Sequence, residues 1–406
     1  MPREETPRYG LRRFVAAVSV GLILLIGVGV PVSIVAPVPQ ASAEVAAEQQ
    51  SATPAASPVF PAFGSSAIGA VGMDGILAKH GSQSPRQIAS ITKIVTALVV
   101  LEAKPLRAGE QGPTITFTQR DVAILADVLA QNGSWQAVQA GWKTSERAAI
   151  ETMLIPSANN YAESLAVWAY GSVPKYLVAA RAFLKAHGLD DTTLVDTNGL
   201  SAGDRSTPTD LVDLGRIALA DPVIAAVVKK SSAVEPNVGE LANTNKLLGD
   251  DGVNGIKTGT YDTVKANLLF SAKVRVGTRT VQLIGVILGA KDHDTLDARV
   301  PALLRSVTKG LHDLPLATKG QAFATYRTSW GGVGKAVAAE DVSRLVWGQA
   351  ELQRKASVGS ITGGRKGEPV GRVTYEVNGR KVVVPLVLDR DVLAAPVWWR
   401  LTHPIR

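Results

Sequence analysis

Ile88-Ala89-Ser90-Ile91-Thr92-Lys93-Ile94-Val95-Thr96-Ala97-Leu98-Val99-Val100-Leu101 is the stretch from which the fold is read. Ile91, Ile94, Val95, Leu98, Val99 and Leu101 recur at helical spacing, and Ala97 and Val100 fill the gaps. Pro105 lies just past the end. A helix that is apolar nearly all round belongs inside a core. On it, Ser90 and Lys93 stand three residues apart and share a face. A buried lysine loses its charge, and a neutral amine can take a serine proton. At the helix N-terminus the dipole favours an alkoxide, and the Ser90 N–H can face an oxyanion. Taken alone, a capping serine beside a lysine that runs its stem to the surface explains the pair better.

Outward from this helix the periodicity changes twice. Before it, Ser66–Val71 and residues 75–78 read as short strands around the turn Gly72-Met73-Asp74-Gly75. After it, helical patterns cover residues 145–153, 159–170, 173–187 and 208–220, with Gly188 as a stop and Thr207-Pro208 as a start. Strand patterns return over residues 263–274 and 278–288, and residues 296–311 read as one further helix. Strands at both ends with helices between predict an α/β domain, its sheet built from distant segments and covered by helices on both faces. Beyond Asp313 short β runs alternate with turns. Residues 370–377, Asn378-Gly379 and residues 381–388 read as a hairpin within a separate small all-β domain.

The N-terminus reads as an address. Arg3, Arg8, Arg12 and Arg13 precede an uncharged stretch from Phe14 to Ala43 that ends in Ala41-Ser42-Ala43, a small-x-small pattern. Cleavage after Ala43 is the favoured expectation, with an uncleaved anchor as the alternative because the apolar run is long. Either way the body faces away from the cytoplasm. Residues 44–64 are rich in Ala, Ser, Pro and Gln and read as a flexible linker. The expected division is therefore residues 1–43 signal peptide or anchor, 44–64 linker, 65–312 catalytic domain and 313–406 β-domain.

Composition narrows the chemistry. Cysteine is absent, which excludes disulfides, thiolate metal sites and a cysteine nucleophile. The five histidines, His80, His187, His293, His312 and His403, show no metal-ligand spacing, so neither metal nor cofactor is expected. The net charge of +8 comes from scattered residues without interleaved aromatics, so no nucleic-acid partner is expected.

Two more motifs follow. Ser157-Ala158-Asn159, after Ile155-Pro156, sits where a proline breaks a helix. There a hydroxyl can relay protons and an amide can hold a substrate amide, although two helix-capping residues would look the same. Lys257-Thr258-Gly259-Thr260 precedes a strand. Gly259 would let substrate add as an extra strand, Lys257 and the threonines can hold a terminal carboxylate, and the Thr260 N–H can be a second oxyanion donor. An exposed turn leading into a strand is the alternative there. Each motif is weak alone. Three of them in this order, at a helix start, a helix-connecting loop and a strand edge, are the set shared by penicillin-binding proteins and serine β-lactamases.

The chain resembles the low-molecular-mass penicillin-binding proteins, the serine D-Ala-D-Ala carboxypeptidases of the penicillin-binding protein 5 type (peptidase family S11). The likeness runs through Ile88–Ala97, Leu154–Asn160, His187-Gly188-Leu189, Asp191-Thr192-Thr193, Asn198-Gly199-Leu200, Arg205-Ser206-Thr207 and Gly255–Thr260. It implies a transpeptidase-like domain, an antiparallel sheet flanked by helices plus an all-helical lobe, followed by the small β-domain. It also implies Ser90 as nucleophile, Lys93 as base, and Ser157, Asn159 and Lys257 as relay and binding wall. Thr258 and Thr260 would bind the substrate carboxylate, with Gly259 between them as part of the substrate-binding strand. The implied substrate is a peptidoglycan stem peptide ending in D-Ala-D-Ala, β-lactams are the implied covalent inhibitors, and the implied place is the cell envelope, with membrane contact through the N-terminus. There are two departures. Thr260 stands where the family often carries His after Lys-Thr-Gly, and Thr244 stands where some members place Arg. A class A β-lactamase would need a glutamate to activate water after the second motif, yet none occurs between Glu163 and Glu235. A wall-binding module with a dead site is the non-enzymatic alternative, and the full set of expected catalytic residues argues against it.

Overall fold

Thr92–Ala103 is the buried helix expected from its periodicity, entered through a 3-10 turn over Ala89–Ile91. Every residue from Thr92 to Leu101 is buried. The structure is a computed structural model and describes residues 9–261 and 265–403. Arg3, Arg8, Thr263 and the last three residues, all used in the sequence reading, lie outside the described residues.

The chain divides into two compact units, residues 55–312 and residues 9–54 with 313–403. In the first, the helices Glu146–Leu154, Asn159–Tyr170 and Val173–Ala186 pack around Thr92–Ala103 to form a helical lobe. Their starts follow the caps visible in the sequence. Ser145, Ser172 and Thr207 each accept a hydrogen bond from the backbone N–H three residues on, and Pro208 fills the first turn after Thr207.

Beside this lobe lies a five-stranded antiparallel sheet in the order Val253–Tyr261, Lys265–Val276, Arg279–Ala290, Ser65–Ala70, Ala78–His80. Its central strands read as almost continuous apolar runs because helices cover both faces. Pro208–Ala220 packs on one side, where Gly215 leaves room for Ile284 and Leu269. Val253–Tyr261 is an edge strand, so its outer backbone is free to pair with a ligand.

Two expectations need correction in this unit. The helix expected over 296–311 is two helices, His293–Asp297 and Val300–Lys309, and Leu311 already begins a strand. Pro301 lacks an N–H and disfavours helix before it, so the second helix must start afresh there. Asp292 caps the first by accepting from the Thr295 N–H at 2.7 Å. The strand expected over 75–78 is found at Ala78–His80.

The second unit is all-β apart from its termini. Its seven-stranded sheet has the order Ala43–Val45, Ala322–Arg327, Val333–Ala338, Arg380–Leu388, Pro369–Val377, Glu351–Val358, Gln49–Ala52. Val384, Leu386 and Leu388 alternate inward over Tyr326, Val373 and Tyr375. The Asn378-Gly379 turn has φ of 49° and 75°, the left-handed pair that a tight hairpin requires. Residues 43–52, most of which were expected to be linker, supply both edge strands. Only Ala46–Glu48 join those two strands. The four Cα–Cα steps from Val45 to Gln49 span at most about 14 Å, so the two edges lie close there and the segment straps one to the other. Composition missed this because edge pairing uses backbone groups, which no side-chain pattern records.

A helical run from Tyr9 to Val35 is long and apolar enough to cross a membrane over Gly10–Val35.

Candidate active site

Ser90 is presented by a constrained turn. Ala89 has φ 50°, a left-handed conformation that costs a non-glycine residue about 1–2 kcal/mol. The turn is pinned from two sides. A Cβ at Gly259 would lie 2.7 Å from the Ile88 carbonyl oxygen, so glycine there lets the edge strand close on the turn. Gly199, with φ 86°, presses its backbone on the Ala89 carbonyl, where any Cβ would collide. Gly259 was expected to make room for substrate. In the structure its missing side chain makes room for the segment that carries Ser90.

Lys93 is fully buried. Its Nζ lies 2.8 Å from Ser90 Oγ and 2.8 Å from the Asn198 carbonyl oxygen, and it also bonds Asn159 Oδ1. Two of these three partners, both carbonyl oxygens, can only accept. A neutral amine has two N–H groups and one lone pair. In the neutral form the two oxygens take the two N–H groups, and the lone pair is left for the Ser90 hydroxyl to donate into. Burial holds the Lys93 pKa well below its ordinary value, the nearby Lys257 charge lowers it further, and Asp196 and Asp204 oppose both.

Asn159 opens the helix Asn159–Tyr170, and its backbone N–H donates to the Ser134 carbonyl at 2.8 Å. Ser157 is 5% exposed and has φ 66°, again left-handed. No hydrogen bond joins Ser157 to either lysine in this structure. The structure therefore brings Ser90, Lys93 and Asn159 into direct contact and holds Ser157 buried two residues from Asn159.

Lys257 lies on the edge strand, 1% exposed, its Nζ 3.4 Å from Thr258 Oγ1. Burial pulls its pKa down to about 7. Thr258 Oγ1 is 2.6 Å from Thr244 Oγ1, and the Thr244 N–H donates to the Ile155 carbonyl at 3.2 Å. Thr244, noted in the sequence only as a departure, thus ties the second motif to the third. Thr260 Oγ1 sits 2.9 Å from His293 Nε2. Burial lowers the His293 pKa, and the Lys257 and Lys246 charges lower it further against the opposing charges of Asp294 and Asp292. Sequence reading missed His293, which lies 33 residues downstream of Thr260 in no recognisable motif. Folding brings it there on the short helix that follows the central strand Arg279–Ala290.

A buried lysine amine on a serine hydroxyl, its pKa pushed down by burial, with a second lysine and two threonines along a strand edge, is an arrangement for acyl transfer to serine. Residues 68–292 match the family model described as D-alanyl-D-alanine carboxypeptidase, Peptidase_S11. The chain is 26% identical over 332 residues to D-alanyl-D-alanine carboxypeptidase DacC of Escherichia coli, covering 78% of this chain and 81% of that protein. Penicillin binding protein 6B of Escherichia coli superposes with a TM-score of 0.60 at 22% identity, covering 81% of this chain and 97% of that one. The Streptomyces K15 DD-transpeptidase superposes with a TM-score of 0.53 at 25% identity, covering 63% of this chain and 97% of that one. The chain belongs to the D-alanyl-D-alanine carboxypeptidases of peptidase family S11, the low-molecular-mass penicillin-binding proteins.

Proposed function

We propose that this protein removes the terminal D-alanine from peptidoglycan stem pentapeptides through an acyl-enzyme on Ser90. The substrate adds as an antiparallel strand beside Val253–Tyr261, with its carboxylate at Thr258 and Thr260 under the Lys257 charge. Ser90 gives its proton to Lys93 Nζ as Oγ attacks the penultimate carbonyl carbon. The N–H groups of Ser90 and Thr260 hold the oxyanion. The C–N bond breaks, the leaving amine takes the proton, and D-alanine departs. Water then attacks the ester and restores Ser90. β-Lactams acylate the same oxygen, because their strained amide occupies the place of the scissile bond. Asn159 fixes Lys93 and offers its amide to the substrate. The apolar N-terminal run fits export of the body to the cell envelope, with cleavage or retention of that run as an anchor.

The observation that carries this reading is the fully buried Lys93 Nζ, 2.8 Å from Ser90 Oγ. Its test is mass spectrometry of a muramyl pentapeptide incubated with the purified full-length protein. Loss of one alanine residue is the expected result. An unchanged pentapeptide with folded protein overturns the reading.

His293 carries a related expectation. In the tautomer that carries its proton on Nε2, His293 donates to Thr260 Oγ1 and leaves the Thr260 proton free for the substrate carboxylate. His293→Ala is expected to raise KM for the pentapeptide about tenfold with kcat within about threefold, the loss of one charge-assisted hydrogen bond. Steady-state D-alanine release measures it, and an unchanged KM refutes the role.

A further inference from the structure

The segment from Val195 to Asp204 is held by two aspartates that the mechanism above does not use. Asp196 Oδ1 accepts from the N–H of Asn198 at 2.8 Å and of Gly199 at 2.6 Å, and Oδ2 accepts from Ser201 at 2.7 Å. Asp204 Oδ1 accepts from Val195 at 2.7 Å and Asp196 at 3.2 Å, and Oδ2 accepts from the Thr92 hydroxyl at 3.3 Å. Asp204 Oδ1 accepts the backbone N–H of Asp196 itself, so the two carboxyls are neighbours, and two carboxyls that share a buried site keep one proton between them.

This turn touches the reacting groups at three points. The Asn198 carbonyl takes one of the two Lys93 N–H groups. The Gly199 backbone abuts the Ala89 carbonyl just ahead of Ser90. The Thr197 carbonyl accepts from Thr96 Oγ1 at 2.6 Å, one helical turn below Lys93. Resting on the acyl-transfer reading above, we propose that Asp196 and Asp204 act as a hydrogen-bonded acid–carboxylate pair. The pair clamps the Thr197–Gly199 turn against Ser90 and Lys93, making both aspartates positioning residues for acylation.

The shared proton has a second effect. Asp196 and Asp204 both favour a charged Lys93. With one proton shared, the pair presents a single negative charge to the amine and leaves it neutral. With none, two like charges face each other, the clamp loosens and Lys93 is drawn towards ammonium. Burial pushes Asp204 up to about 8, reinforced by the hydrogen bond to Asp196 and by its charge. Burial also pushes Asp196 up, but hydrogen bonds from Asp204 and from the Gly199, Asn198 and Ser201 N–H groups outweigh it and hold its pKa below the ordinary value. The other titratable groups that sense the pair are Lys93, Tyr176 and Glu163. Arg205, next in sequence, sends its guanidinium away to the Pro85 carbonyl at 2.9 Å.

Asp204→Asn separates the clamp from its titration. An asparagine keeps the acceptor for Val195 and Asp196 and donates an N–H to Asp196, but it cannot ionise. The test is the acylation rate of full-length wild type, Asp204→Asn and Asp204→Ala by fluorescent penicillin from pH 6 to 9.5. The ratio of Asn variant to wild type is expected to rise about fivefold or more between pH 7 and 9.5. Effects common to both proteins, Lys257 titration and penicillin hydrolysis among them, cancel in that ratio. At pH 7 the Ala variant is expected to acylate at least about tenfold more slowly than the Asn variant. A ratio flat with pH overturns the proposal even where Asp204→Ala fails to fold, and an Ala variant as fast as Asn also overturns it. Wild type that takes no label overturns the acyl-enzyme reading, and this inference with it.

Discussion

Replacing Ser90 by alanine leaves a folded protein that takes no penicillin label and releases no measurable D-alanine. The loss is expected to be at least about 10⁴-fold, because removing a nucleophile removes the covalent route rather than weakening it. A substitute is not at hand. Ser157, the other motif serine, donates to neither lysine, so nothing in this structure draws off its proton. The substitution deletes one hydroxyl and leaves the Asn159 and Asn198 oxygens still bonded to Lys93. Thermal stability should therefore move little while activity disappears. Gel fluorescence after labelling, set beside a melting curve, makes the measurement. Label retained on Ser90→Ala at the wild-type rate would place the nucleophile elsewhere.

Lys93→Met is expected to cut the acylation rate by about 10³-fold at pH 7. Methionine fills a similar volume but has no lone pair to take the serine proton. The pH dependence of the wild type carries the same assignment. Below its depressed pKa Lys93 is an ammonium and cannot accept a proton, so acylation falls as the solution is acidified. Above about pH 7 Lys257 loses its proton and with it the charge that attracts the substrate carboxylate. Lys93→Met should abolish the acid limb and leave the alkaline one. Stability should follow with a definite sign. In the unfolded chain both lysines stay protonated to about pH 10.4, whereas in the native protein they release their protons lower. Between those limits the unfolded state binds more protons, so native stability rises with pH, by at most about 1.4 kcal/mol per pH unit for each lysine. Lys93→Met removes one lysine's share of that slope. Urea melts at pH 7, 8 and 9 measure it, and an unchanged slope would mean Lys93 is charged in the native state.

Much of the site was legible before any coordinates. Ser90, Lys93, Ser157, Asn159 and Lys257 lie in short motifs whose local settings, a helix start, a broken helix and a strand, are properties of neighbouring residues. The long helices were legible for the same reason, since apolar spacing and caps such as Thr207-Pro208 act within one or two turns. The break before Val300–Lys309 was missed because the apolar pattern continues across Pro301, and the proline's effect on the backbone was underweighted. Gly259 was noticed for its smallness, and the structure adds the Ile88 carbonyl as a neighbour of that missing side chain. The sequence shows that a side chain is missing, but not what fills the space.

The contacts of His293, Thr244 and the Asp196–Asp204 pair escaped the sequence reading because only folding creates them. The strap made by residues 43–52 escaped it because backbone pairing leaves no mark on composition.

Local periodicity and motif order, which the chain carries in itself, determined the family, the candidate nucleophile and the buried helix that bears it. Only the tertiary structure decided that Lys93 is buried beside Ser90 with its pKa pushed down, that Asp196 and Asp204 hold the turn that meets it, and that residues 43–52 supply both edges of the seven-stranded sheet. The reason is physical: a charge state depends on what surrounds a group in three dimensions, and residues from four distant segments must assemble before water is excluded from that amine.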